Sequence, residues 1–180
     1  MIPTYDRLLV KVDPKQKSQF RIGDTVVMAM NVYEVNYREK SPVIGEILGG
    51  NEMIEDRSIC VFHHNHFYGH SPYFVAEGLY SVPFNHTILG VLDTSGLLHP
   101  VCGNLLCDRV VPQTVLPVNP AYKGKYIDRA IVTDPGWTDY QKGETVFTRT
   151  NAAYEIVYNF NGTVHRIHKV HESMIVGRLR

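Results

Sequence analysis

The chain has 180 residues and a mass of 20.5 kDa, room for one large domain or two small ones. Lys plus Arg is 18 and Asp plus Glu is 18, so there is no basic excess for a nucleic-acid surface, and none is expected as a partner. Apolar residues make up 44% and charged residues 20%, enough to build a core, but no apolar run approaches the roughly 20 residues of a bilayer span, so no membrane partner is expected either. The opening MIPTYDRLLVKVD lacks the charged head and long apolar stretch of a signal peptide. Cys60, Cys102 and Cys107 are too few, and odd in number, for a disulfide framework. Their C-x4-C spacing has no second pair to complete a zinc site. The expectation is a cytoplasmic protein with reduced thiols.

Strand signals dominate in chain order. DRLLVKV, DTVVMAMNVYEV, SICVF, TILGVL, NLLCDRVV, ETVF, AAYEIVY and MIVGRL are short and rich in β-branched, Leu and aromatic residues. Turn clusters separate them: DPK, GGNE, DTSG, TDPG and NFNG. No dozen-residue segment has a helical repeat. The predicted class is all-β.

The segments repeat. Asp6-Arg7 recurs as Asp108-Arg109, Val61-Phe62 as Val146-Phe147, and Ile88–Leu92 as Ile175–Leu179. From Phe62 to Ile88 is 26 positions, and from Phe147 to Ile175 is 28. This order predicts two copies of one β unit, residues 1–96 and 97–180. A rival alignment sets 23–37 against 143–158, but leaves 50–100 without a counterpart. The preferred alignment puts an insertion of about two dozen residues in the first copy, at 13–42, because 38 positions separate Arg7 from Gly45 but only 15 separate Arg109 from Gly124.

These motifs carry a family resemblance. An early D-R-hydrophobic strand, a long loop, GEILGG or GKYIDRAIV, then SICVF or GETVF, and a closing ILGVL or IVGRL resemble the GroES co-chaperonin family. The chain departs from that pattern at EDRS, where a Gly-Asp/Glu turn would be expected. The enlarged form is similar to co-chaperonin-like proteins of bacteriophages and some bacteria. The resemblance implies two tandem GroES-like small β-barrels, self-association into a ring, a chaperonin (GroEL-like) ring as partner, no cofactor and no enzymatic activity. It also implies that the loop after the first strand docks through a short apolar tripeptide, by position Val26, Val27 and Met28. A second reading of 25–37 is a packed hairpin with Val26 and Met28 in the barrel core, since the stretch has few Gly or Ser. The alternative function is a structural or virion-associated protein built from the same modules without a chaperonin partner.

The remaining constellations read as structure. His63, His64, His66 and His70 crowd one turn, but no carboxylate or cysteine stands at a set spacing, and no metal site is assigned. His165, His168 and His171 read as strand residues, with 165 and 171 on one face. No nucleophile signature or phosphate-binding loop is present, so no catalytic residue is assigned.

Overall fold

The computed structural model describes residues 6–13, 19–22, 25–28, 42–63, 67, 71–108, 111–113, 127–149, 152 and 154–179, with only the backbone at 19–22, 25–28, 111–113, 127 and 154. It divides into two compact units, residues 1–95 and 96–180. Both are antiparallel β, and no α-helix occurs among the described residues. A 3-10 turn, Glu172–Met174, precedes the last strand.

The first unit contains β1 (Arg7–Val12), β2 (Gln19–Ile22), β3 (Thr25–Met28), β4 (Val43–Gly49), β5 (Ile59–Phe62), β6 (Phe74–Ala76), β7 (Leu79–Pro83) and β8 (Ile88–Leu92). Within the main sheet the strands of this unit run in the order β6–β7–β1–β4–β5–β8, while β2 and β3 pair in a separate two-stranded sheet. Strand alternation sorts the side chains. Leu8, Val10 and Val12 face inward from β1, and Val43 and Ile47 from β4. Phe67 packs edge-on against Phe62 and Tyr80, with ring centroids 5.3 and 5.1 Å apart.

The second unit contains β9 (Leu98–Pro100), β10 (Asn104–Cys107), β11 (Val111–Gln113), β12 (Ile127–Asp134), β13 (Thr145–Arg149), β14 (Tyr154–Phe160), β15 (Thr163–His171) and β16 (Ile175–Leu179). Its sheet runs β14–β15–β10–β12–β13–β16, with β11 also paired to β12. Leu105, Cys107, Ala130, Val132, Val146 and Val170 form one buried cluster.

The two strand orders are the same when β1, β4, β5, β6, β7 and β8 are set against β10, β12, β13, β14, β15 and β16. The irregularities coincide as well. The β1–β4 ladder slips between Leu9 and Val10, and the β10–β12 ladder between Leu106 and Cys107. The β5–β8 ladder slips between Val61 and Phe62, and the β13–β16 ladder between Phe147 and Thr148. Bulges bend strands and fix register, so two shared bulges are strong evidence of one repeated unit.

The ladders keep part of the sequence alignment and correct the rest. Gly90 pairs with Val61, and Gly177 with Phe147, so Ile88–Leu92 and Ile175–Leu179 are equivalent as expected. Val61-Phe62 corresponds to Phe147-Thr148, one residue on from Val146-Phe147. Asp6-Arg7 is not the equivalent of Asp108-Arg109: Arg7 opens β1 and corresponds to Asn104, whereas Asp108 follows the end of β10. Leu9 pairs with Gly49 and Leu106 with Asp134, separations of 40 and 28 residues. The first unit's insertion is therefore a dozen residues, about half the expected length. In the rival alignment β13 would match β3, but the ladders give β13 the place of β5.

Candidate docking surfaces

The connection from β1 to β4 contains the hairpin β2–β3. Gln19 pairs with Met28, Phe20 with Val27, Arg21 with Val26 and Ile22 with Thr25. The backbone of Val26–Met28 thus lies in the second strand of a hairpin bonded within itself. The side chains of Val26, Val27 and Met28, and the rest of 29–41, lie outside the described residues.

A turn shared by both units joins β4 to β5 in the first and β12 to β13 in the second. Arg57 N–H donates to the Ile47 carbonyl at 2.6 Å, and Ile47 N–H to the Ser58 carbonyl at 2.9 Å. Gly143 N–H donates to the Val132 carbonyl at 2.8 Å, and Val132 N–H to the Glu144 carbonyl at 2.9 Å. Arg57 and Gly143 are equivalent, and both are left-handed, at φ 68° and 89°. The EDRS departure is thus the same turn with arginine in the glycine position.

Charge sits inside the second unit. Lys169 and Asn104 are both buried, and Lys169 Nζ donates to Asn104 Oδ1 at 2.8 Å. Asn104 Nδ2 donates to the Val101 carbonyl at 3.0 Å. Burial pulls the Lys169 ammonium down to about 8. The buried Glu144 accepts from Gln141 N–H at 2.9 Å and lies 3.6 Å from Arg178 Nε, which is an ion-pair contact rather than a hydrogen bond. The Arg178 guanidinium rests over the Tyr140 ring, 5.2 Å from its centroid. Sequence reading missed these residues, because a lysine in VHRIHKVH carries no mark of burial.

None of Cys60, Cys102 and Cys107 is in a disulfide, and Cys60 and Cys107 lie in the interior. Burial pushes Cys102 up to about 11. Burial, then the neighbouring Asp108 carboxylate, pushes Cys107 up to about 12. Both remain protonated at neutral pH and are poor nucleophiles there.

His63 is described, and its N–H donates to the Thr87 carbonyl at 2.8 Å; His64, His66 and His70 lie outside the described residues. No group of three metal-ligating side chains occurs among the described residues. His165 stacks on its cross-strand partner Tyr158 with centroids 4.9 Å apart, and His171 Nδ1 caps Ser173 N–H. Both histidines do structural work on β15. Trp137 is exposed in the turn after β12. Among the described residues no helix is long and apolar enough to cross a membrane. No family model and no curated protein sequence matches this chain.

Proposed function

We propose that this chain is a non-enzymatic co-chaperonin of the GroES type. Its two β units are tandem small barrels that self-associate into a ring, and the β2–β3 hairpin docks on a chaperonin ring through Val26, Val27 and Met28. The observation that carries the reading is the hairpin: it sits in the lengthened connection of the first unit and forms a sheet of its own. A preformed strand pair lowers the ordering cost, about 1–2 kcal/mol per residue, that a fully mobile loop would incur on docking. A β-branched extended segment suits an apolar groove. Each contact is individually weak, and a ring of hairpins makes attachment firm yet reversible through effective concentration.

The test is Val27→Asp in the full chain, assayed for suppression of a chaperonin's ATPase turnover and for assisted refolding. A buried aspartate in an apolar groove is heavily penalised. The expected result is at least a tenfold loss of apparent affinity, on the order of 1.4 kcal/mol or more, with assembly unchanged. Capping that survives the change removes the docking assignment. A wild-type chain that binds no chaperonin but co-purifies with capsid or tail proteins favours the structural reading instead.

A further inference from the structure

The first unit's sheet carries a groove of about 590 Å³ on the face opposite Val10, Val12 and Ile47. The strand pairings set Leu79, Lys11, Glu46 and Ile59 side by side across β7, β1, β4 and β5. Three strand spacings of about 4.8 Å make that row roughly 14 Å long, the reach of about four extended residues. Its ends are apolar, since Leu79 and Ile59 are half-buried there, and Ile44 and Leu48 extend the floor along β4. Its rim is acidic. Val12 N–H donates to the Gly78 carbonyl at 2.8 Å, which carries the β1–β7 register onward and brings Asp13 opposite Glu77. Both are exposed, both line the groove, and like charges set opposite each other destabilise a strand pair. Among the described residues lining it, Asp13, Glu46 and Glu77 are carboxylates and Lys11 alone is a cation. The scaffold does not impose this pattern, because the second unit's equivalents of Ile44, Lys11 and Glu46 are Arg129, Asp108 and Ile131.

We propose that this groove binds an extended segment of a partner protein in which basic residues stand between two apolar ones. Side chains four positions apart lie on one face of an extended chain, about 13–14 Å from each other, and so meet both Leu79 and Ile59. The basic residues between them meet Glu46 and relieve the facing carboxylates of Asp13 and Glu77. Covering the apolar ends supplies affinity, and the charge complementarity selects against acidic segments. A wholly apolar segment is disfavoured as well, because it would take Lys11 and Glu46 out of water at the middle of the row. The groove uses none of Val26, Val27 and Met28, so it stands apart from the proposed function and does not rest on it.

The experiment is fluorescence anisotropy of the labelled, end-blocked peptide LRKRL with the full chain at low ionic strength, beside its counterparts LEEEL and ARKRA. LRKRL is expected to bind, with LEEEL at least about tenfold weaker and ARKRA at least about fivefold weaker. Glu77→Lys should weaken LRKRL at least about fivefold, while Glu155→Lys, at an exposed site of the second unit, should leave it unchanged. Amide shift mapping is the second readout, with LRKRL moving signals of β1, β4, β5 and β7 and sparing β14. No binding of LRKRL, a Glu77→Lys chain that binds it as wild type does, or shifts confined to other strands would each overturn the proposal. ARKRA binding as tightly as LRKRL would reduce the groove to general charge attraction and overturn it too. Affinity for LRKRL that falls as the chain's own concentration rises would make the occupant a second copy, with the same result.

Discussion

The two units place opposite chemistry on one scaffold. In the first, the Arg7 guanidinium on β1 reaches across to Ser81 on β7, with Nε 3.0 Å from Oγ and a second donor on the Ser81 carbonyl. In the second, the equivalent of Arg7 is Asn104 and the equivalent of Ser81 is Lys169, so the cation has crossed to the other strand. The core changes in parallel. Phe62 and Tyr80 correspond to Thr148 and His168, and the aromatic cluster of the first unit has no like-for-like replacement at those positions. Backbone pairing and both bulges persist through these exchanges. Ladder geometry therefore specifies the unit, and the side chains are free to differ wherever size and hydrogen bonding are compensated.

The closest compensation is at Gly45, and breaking it should give the largest effect. A Cβ on Gly45 would stand 2.5 Å from Val10 Cγ1 and 3.1 Å from Val12 Cγ2. Valine is stiff about χ1 and cannot turn that methyl away cheaply. The second unit has Ala130 at the glycine position and Cys107, one methyl smaller and unbranched, at the valine position, both in one core cluster. Gly45→Ala should destabilise the first unit by about 2 kcal/mol. In a Val10→Cys background the same change should cost less than half as much. Denaturant titration of the four chains in this cycle measures the coupling, and costs that simply add would show that the two positions are independent.

Lys169 offers the next contrast, because Ser81 in its place cannot titrate. The folded ammonium is lowered to about 8 from an ordinary value of 10.5, so the unfolded chain holds more protons between those limits. Stability contributed by this group therefore rises with pH from about 8. The thiols of Cys102 and Cys107, raised from 9.0, oppose it increasingly as pH nears and passes 9, since the folded state then keeps protons that the unfolded state loses. Lys169 alone should add about 1 kcal/mol between pH 8 and 9, the two thiols should cancel more than half of that, and the second unit should then decline. In Lys169→Met the gain should vanish while the decline remains. An unaltered slope in that variant would assign the titration to another group.

Much of this scaffold could be read from the residues, and the failures have definite causes. The closing motifs aligned correctly because glycine marks the same rung, Gly90 against Val61 and Gly177 against Phe147. The Val-Phe match slipped because identity misled where facing matters. Phe62 follows its bulge and is fully buried, while Phe147 precedes its bulge and is half-exposed. A one-residue slip exchanges the two faces of a strand, and a bulge conceals that slip from alternation. The docking tripeptide was placed by position, and its backbone lies in a hairpin strand. The exposed β16 was unreadable, because ILGVL and IVGRL are nearly the same string in different surroundings.

The smallest effect concerns the turn that a motif search rejects. Arg57 holds φ 68° where its twin Gly143 holds 89°, and the equivalent bonds onto Ile47 and Val132 agree within a few tenths of an ångström. An L-residue in the left-handed region costs roughly 1–2 kcal/mol, and glycine returns part of that saving as extra unfolded-state entropy. Arg57→Gly should therefore stabilise the first unit by about 0.5–1 kcal/mol, and Gly143→Arg should destabilise the second by a similar amount. The space around Gly143 is open, with nothing within 4 Å of an added Cβ, so its penalty is conformational rather than steric. Differential scanning calorimetry of both variants reads the two signs. Equal signs, or no change in either, would mean that something other than backbone strain sets the cost of arginine here, and that the two turns are alike in outline only.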